Sequence, residues 1–302
     1  MPRGVPKNGF RITQKRIVNG FNPNTVGFLH APVTPVTPVI PVAPVIERTE
    51  AEIREDLSQR FGTLESMCYA TVAGKNTSMI LSGPAGVGKS FIVGDVLSKN
   101  ASKVYSTVIK GFVRPTGLYK TLYEFRNKDC VVVFDDADSI FNDDVSLNIL
   151  KAACDTTRKR HIHWLTETKM EDEDGERVPR SYQFEGSIIF ITNYDFDDMI
   201  ARGSRLAPHF QAMVSRSHYL DLGMKTPADY VVRIKQVIQD HKMLRDAGFS
   251  SSEEHDIISF IEDNKLKLRE LSLRMVLKLA SLMRINPTTW KNLAKTTCMK
   301  GV

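Results

Sequence analysis

No apolar run in this 302-residue sequence approaches the ~18–20 residues needed to span a bilayer, and the N-terminus lacks the apolar core of a secretory signal. A membrane-spanning or secreted protein is therefore not expected. Cysteine is scarce as well: Cys68, Cys130, Cys154 and Cys298 stand far apart, without the paired spacing of a zinc site or a disulfide framework. That fits a reducing cytoplasm, a host's cytoplasm if the chain is viral. Acidic residues are missing altogether from residues 1–46, which carry Arg3, Lys7, Arg11, Lys15 and Arg16. Five of the six excess positive charges lie there, and the other 256 residues hold 36 basic against 35 acidic side chains. The basic character belongs to a tail and not to the body.

The tail is also where proline concentrates, with 8 of 14. Residues 32–46 repeat Pro-Val-Thr, Pro-Val-Thr, Pro-Val-Ile, Pro-Val-Ala and Pro-Val-Ile. Proline every third residue removes donors and fixes φ, which excludes helix and sheet interior. Polyproline II has the same period, so prolines would line one edge and valines another over ~45 Å. A semi-rigid spacer is the first reading, and a docking strip for a protein partner the second. Residues 1–20 read as disordered. Pro2-Arg3-Gly4-Val5-Pro6 is similar to the AT-hook core, with Val5 where a second arginine would enter the minor groove.

From residue 47 the pattern is that of a folded body. Strand signals at Ser78 to Leu81, Val104 to Ile109, Val131 to Phe134, Ile188 to Ile191 and Tyr219 to Leu222 alternate with helical stretches. Those are Glu50 to Leu57, Lys89 to Lys99, Leu118 to Arg126 and Val145 to Asp155. Fully apolar strand centres between helices indicate a parallel sheet covered on both faces. After Gly223 only helices are predicted: one opened by Thr226-Pro227, one by Ser251 and Ser252, one over Arg269 to Met283, and one from Thr288. The expected organisation is a 1–46 tail, a 47–223 α/β nucleotide-binding domain and a 224–302 helical lid.

Gly83-Pro84-Ala85-Gly86-Val87-Gly88-Lys89-Ser90 matches the phosphate-binding loop, between a predicted strand and a predicted helix. Its glycines let successive N–H groups turn inward, and the helix N-terminus adds positive potential. Lys89 is expected on the β- and γ-phosphates and Ser90 on Mg²⁺. The strand Val131 to Phe134 ends in Asp135 and Asp136, 46 residues beyond Lys89. Asp135 is the candidate for the metal shell, and Asp136 for orienting or deprotonating the attacking water.

Together these residues resemble the AAA+ ATPases over about residues 50–290. The resemblance implies a P-loop core with a helical lid, ATP and Mg²⁺ as cofactors, and a homo-oligomer, most simply a hexameric ring. It also implies further site residues. Asn193, ending the strand Ile188 to Thr192, matches sensor 1. Arg216, in Val214-Ser215-Arg216, matches the arginine finger offered to a neighbouring subunit, with Arg205 as rival. Arg274, in Leu271-Ser272-Leu273-Arg274-Met275, matches sensor 2. Most members have glutamate where this chain has Asp136, so slow turnover is one expectation. The compact size is similar to small phage or mobile-element ATPases.

Two segments are candidates for substrate contact. Lys110, Phe112 and Arg114 lie where polymer-threading members carry a pore loop. Arg158, Lys159 and Arg160 open a stretch through Trp164 that, with Tyr182 to Phe184, reads as a β-hairpin before the Asn193 strand. A nucleic-acid motor or loader, with DNA favoured, is the leading reading. A protein remodeller and a slow nucleotide switch are the alternatives.

Overall fold

The computed structural model describes residues 48–157, 159–166, 169–171 and 175–301. The tail readings, including the Pro-Val repeat and the AT-hook-like start, and Arg158 lie outside the described residues.

The chain begins with α1 (Glu50–Val72), β1 (Ser78–Ser82), α2 (Lys89–Lys99), β2 (Tyr105–Lys110), α3 (Pro115–Glu124) and β3 (Cys130–Asp135). A 3₁₀ turn (Asp138–Phe141) leads to α4 (Asp144–Ala153), β4 (Arg160–His163), β5 (Ser181–Phe184) and β6 (Ser187–Thr192). Then come α5 (Phe196–Ala201), α6 (Ala207–Val214), β7 (His218–Asp221) and α7 (Pro227–Gln239). The chain closes with α8 (Met243–Asp246), α9 (Ser251–Asp263), α10 (Leu273–Ile285) and α11 (Trp290–Thr297).

Five strands form one parallel sheet in the order β2-β3-β6-β1-β7. Period-two alternation sends neighbouring side chains to opposite faces. Val132, Phe134, Ile188, Phe190 and Ile80 join one core cluster, while Val131, Val133, Ile189, Ile191, Met79 and Leu81 join the other. Both faces are buried, so these strands read as unbroken apolar runs. The parallel sheet between helices, with helices alone after β7, is the architecture expected. The sheet's C-terminal edge carries the phosphate loop, Asp135 and Asn193, which brings residues far apart in sequence to one place.

Some boundaries differ from expectation. α1 continues to Val72 because Ile53, Leu57, Phe61, Leu64, Cys68 and Val72 keep one buried face at helical spacing. α3 starts earlier, at Pro115, whose missing N–H costs nothing at the first helical position. α10 starts later than Arg269, because the Ser272 hydroxyl caps it by accepting from the Met275 N–H at 3.1 Å. The hairpin is present, with β4 and β5 antiparallel and Arg160 opposite Phe184. Its inner face is core, with Ile162, Tyr182 and Phe184 buried beside Tyr119. All four cysteines are buried and unpaired. Among the described residues, no helix is long and apolar enough to cross a membrane.

The start of α7 is held to the start of α1 by one carboxylate. Asp229 accepts from the Lys225 N–H at 2.8 Å, the Thr226 N–H at 3.1 Å and the Arg48 guanidinium at 2.7 Å. Burial raises its pKa, but the backbone and Thr226 hydrogen bonds and the Arg48 charge outweigh that and hold it below the ordinary value. Asp229→Asn should lower unfolding free energy by about 2 kcal/mol at pH 7, read by denaturant melts. A depressed carboxylate pKa contributes stability above the unfolded value, and the contribution fades as pH falls through the folded one. The gap between wild type and variant should therefore close below about pH 4. A gap unchanged at pH 3 would assign the loss to packing.

Candidate nucleotide-binding site

The loop between β1 and α2 turns on three glycines with positive φ: Gly83 (141°), Gly86 (74°) and Gly88 (105°). Only glycine adopts such a run without strain, and it aims backbone N–H groups into a shared hollow. Lys89 is buried at 5% exposure, with its ammonium donating to the carbonyl oxygens of Gly83 and Pro84 and to Asn193 Oδ1 at 3.2 Å. Burial pushes its pKa down to about 8, against the opposing pull of Asp136, Asp135 and Asp138.

Asp135 is buried at the end of β3, where its Oδ1 accepts from the Ser90 hydroxyl at 2.8 Å. Its Oδ2 pairs with the Lys110 ammonium at 2.9 Å. Asp136 adopts φ 54°, a conformation aspartate tolerates better than most residues, with its N–H on the Ile191 carbonyl at 3.0 Å. That turn directs Asp136 Oδ1 to Asn193 Nδ2 at 3.1 Å. One asparagine amide thus bridges Lys89 and Asp136. A third acid, Asp138, accepts from the Thr192 hydroxyl at 2.6 Å, and its pKa is raised, first by burial.

α10 closes the other side. The Leu273 N–H donates to the Gly86 carbonyl at 2.7 Å, seating the helix N-terminus directly on the loop. Between them lies a cavity of about 550 Å³, reached by Lys89, Ser90, Asp136, Asn193, Arg233 and Arg274. That volume suits a nucleotide-sized ligand. Its lining also includes Phe91, Ile92, Val237, Met243 and Leu277, with His241 and Asp246 as polar members. A wall that combines apolar side chains with the cations Lys89, Arg233 and Arg274 is chemistry for a base and phosphates on one molecule.

The structure thus gathers Gly86, Gly88, Lys89, Ser90, Asp135, Asp136, Asn193 and Arg274 at one site. The rival arginines Arg216 and Arg205 lie elsewhere. Arg216, in the turn after α6, donates to the Ala212 carbonyl of that helix at 2.9 Å, and Arg205 pairs with Asp144 at 3.2 Å on the surface. Neither lines the chain's own cavity. Phe112 and Arg114 are exposed, Phe112 at 76%. Lys159 is exposed too. Arg160 is a correction: it is 7% exposed and donates to the Ala153 and Gly186 carbonyls at 2.7 and 2.8 Å, so it braces the hairpin and is withheld from any substrate.

Arg233 had not been expected. It is buried on α7, stacked 3.4 Å from the Phe61 ring centroid, with Nε donating to the Val87 carbonyl at 3.3 Å. Burial lowers its pKa to about 10. The available signal was an arginine interrupting the apolar run Tyr230-Val231-Val232-Arg233-Ile234.

Residues 79–212 match the family described as "ATPase family associated with various cellular activities (AAA)". A protein of Enterobacteria phage T4, described as an uncharacterized 36.7 kDa protein in the nrdC-mobD intergenic region, is 35% identical over 251 residues. That alignment covers 82% of this chain and 76% of the phage protein. Among solved structures, a Thermotoga maritima RuvB mutant gives a TM-score of 0.48 at 13% identity, over 83% of this chain and 73% of that one. NtrX from Brucella abortus in complex with ATP gives 0.46 at 10% identity, over 80% and 53%. The chain belongs to the AAA family of ATPases and is an ATP hydrolase.

Proposed function

We propose that this ATPase couples Mg-ATP hydrolysis to translocating or remodelling nucleic acid, as a replication- or recombination-type motor or loader acting on DNA in the cytoplasm. The observation that carries the substrate is the segregation of charge: five basic residues and no acid in residues 1–46, ahead of a nearly neutral body. Counterion release gives such an arm affinity for phosphates without sequence preference. Exposed Phe112 with Arg114 beside it adds a stacking group next to a cation. The domains proposed are the 1–46 arm, the 47–223 catalytic core and the 224–302 lid.

The residues fit a magnesium nucleotide. A hydroxyl and a carboxylate oxygen 2.8 Å apart, beside a loop that turns on three positive-φ glycines, are hard oxygen donors. Ser90 would ligate Mg²⁺ and Asp135 hold its shell, and the ion supplies charge neutralisation to the β- and γ-oxygens. Loop N–H groups from Gly83 to Ser90 hold the phosphates, and Lys89 places its charge on the transferring group. Asp136, positioned by Asn193, orients the attacking water or takes its proton. Arg274 reaches the γ-phosphate from the lid. Arg216, turned away from its own cavity, serves a neighbouring subunit's nucleotide, with Arg205 the rival. Such an arrangement needs a homo-oligomer, a hexameric ring being the simplest. Among the described residues of the Arg158–Lys159–Arg160 triplet, Lys159 is the exposed cation offered to phosphate within that ring.

ATP turnover by the full chain should rise when single- or double-stranded DNA is added at low salt. Changing Arg3, Lys7, Arg11, Lys15 and Arg16 to glutamine should flatten the log–log salt dependence of duplex binding by up to about 4.5. If DNA neither binds nor changes turnover, the nucleic-acid reading fails. A protein remodeller gripping polypeptide with Phe112 and docking through the Pro-Val strip then becomes the better account. Tight ATP binding with turnover near zero would instead favour a nucleotide switch, for which the short Asp136 side chain is the supporting observation.

A further inference from the structure

β2 ends in Lys110, and its ammonium lies 2.9 Å from Asp135 Oδ2, opposite the oxygen that Ser90 occupies. Parallel pairing of β2 with β3 places Lys110 directly beside Asp135 in register. Three residues on, the same loop is fastened again. The Val113 N–H donates to Ser139 Oγ at 2.9 Å, and Ser139 lies in the 3₁₀ turn that follows Asp135. Between these two ties stands Phe112, 76% exposed, with Gly111 at φ 88°. The segment 110–113 is thus a short bridge whose ends both rest on the Asp135–Ser139 stretch.

From this we propose that Lys110 is a positioning residue of the ATP site. Its ammonium holds Asp135 when no divalent cation is present, and gives that carboxylate up when Mg-nucleotide binds. The inference rests on the assignment of Ser90 and Asp135 to the magnesium site. A carboxylate oxygen engaged by an ammonium has less negative charge to lend to a metal shell, so lysine and magnesium compete for it. Asp135 has 4% side-chain exposure and stays in place, whereas Lys110, at 67%, is free to swing outward. Its release detaches one of two ties on the Phe112 loop. The state of the nucleotide site is thereby written into the position of the one exposed aromatic on that loop.

The test uses the full chain with N-methylanthraniloyl-ATP, titrating Mg²⁺ and following nucleotide fluorescence. Lys110→Met should lower the Mg²⁺ concentration at half-maximal binding about two- to fivefold, since it removes a partly exposed competitor. Lys110→Arg should stay close to wild type. In a Phe112→Trp background, indole emission should change when Mg²⁺ is added to the nucleotide-bound protein with Lys110 present. With Lys110→Met it should already lie near the Mg²⁺-loaded value. An unchanged or raised Mg²⁺ midpoint in Lys110→Met overturns the inference, as does an indole signal that ignores Mg²⁺ in both backgrounds. If wild type itself shows no Mg²⁺-dependent nucleotide binding, the magnesium-site assignment falls and the lysine's role with it.

Discussion

Lys89→Met should reduce ATP turnover by about 10²-fold or more while leaving the nucleotide-free protein folded and about as stable as wild type. The two halves of that result have separate causes. Lys89 is buried, and its contacts are neutral oxygens of Gly83, Pro84 and Asn193, with acids near but not bonded to it. Burial without a direct ion pair is why its pKa falls to about 8. Methionine removes that desolvation cost, keeps most of the stem volume, and leaves three acceptors short of one donor. These effects oppose each other, so the thermal midpoint should move by no more than about 2–4 °C. Catalysis has no such compensation, because the only side chain of the loop carrying charge to the phosphates is gone. The midpoint gain that Mg-ATP gives wild type through mass action should vanish. Differential scanning calorimetry with and without Mg-ATP, beside a phosphate-release assay, reads both. Retained turnover, or an undiminished ATP-induced gain, would remove Lys89 from the site.

Gly86→Ala should be nearly as damaging to nucleotide binding, for a steric reason. A Cβ on Gly86 would lie 2.7 Å from the Cβ of Ser272, at a backbone φ of 74°. Left-handed alanine costs about 1–2 kcal/mol, and the clash adds to it. Ser272 is not free to yield: it is 3% exposed and caps α10, whose Leu273 N–H already bonds the Gly86 carbonyl. Relief requires the lid helix to lift from the loop and carry Arg274 with it. We expect ATP affinity to fall at least tenfold, with destabilisation of about 2 kcal/mol. Gly62→Ala is the control, because that glycine lies within α1 with nothing inside 4 Å of a new Cβ. It should be neutral or stabilising by about 0.5–1 kcal/mol. If both variants bind nucleotide equally, the lid does not depend on that contact.

The features legible in the sequence were those written in short-range pattern. Apolar runs ending in Ser82, Asp135 and Thr192, and glycines at fixed offsets, marked the strands and the phosphate loop because local chemistry alone demands them. Arg274 stood out by sitting between leucines three residues to either side. Less legible were residues whose role depends on a tertiary neighbour. In sequence Arg160 reads with Arg158 and Lys159 as a basic substrate contact, yet strand alternation turns it inward onto the Ala153 and Gly186 carbonyls. Arg233 owes its place to Phe61 and Val87, both far away in sequence. Lys110 read as a substrate contact, and only its register beside Asp135 reveals the carboxylate it holds. Charge can be counted from a sequence, but partners of charge come from packing.

The buried cysteines have a practical consequence. Desolvation raises the Cys68 thiol to about 12 and the Cys154 thiol to about 11, and it raises Cys130 as well. At neutral pH these groups hold almost no thiolate, the form that reacts with maleimides and oxidants. Cys298 is enclosed too, at 4% exposure. The native chain is therefore close to chemically silent towards thiol reagents while folded. One cysteine introduced on the exposed Phe112 loop would be a unique attachment point for a dye or spin label. Loss of that silence, seen as thiols appearing to Ellman's reagent, would in turn serve as a direct chemical clock for unfolding.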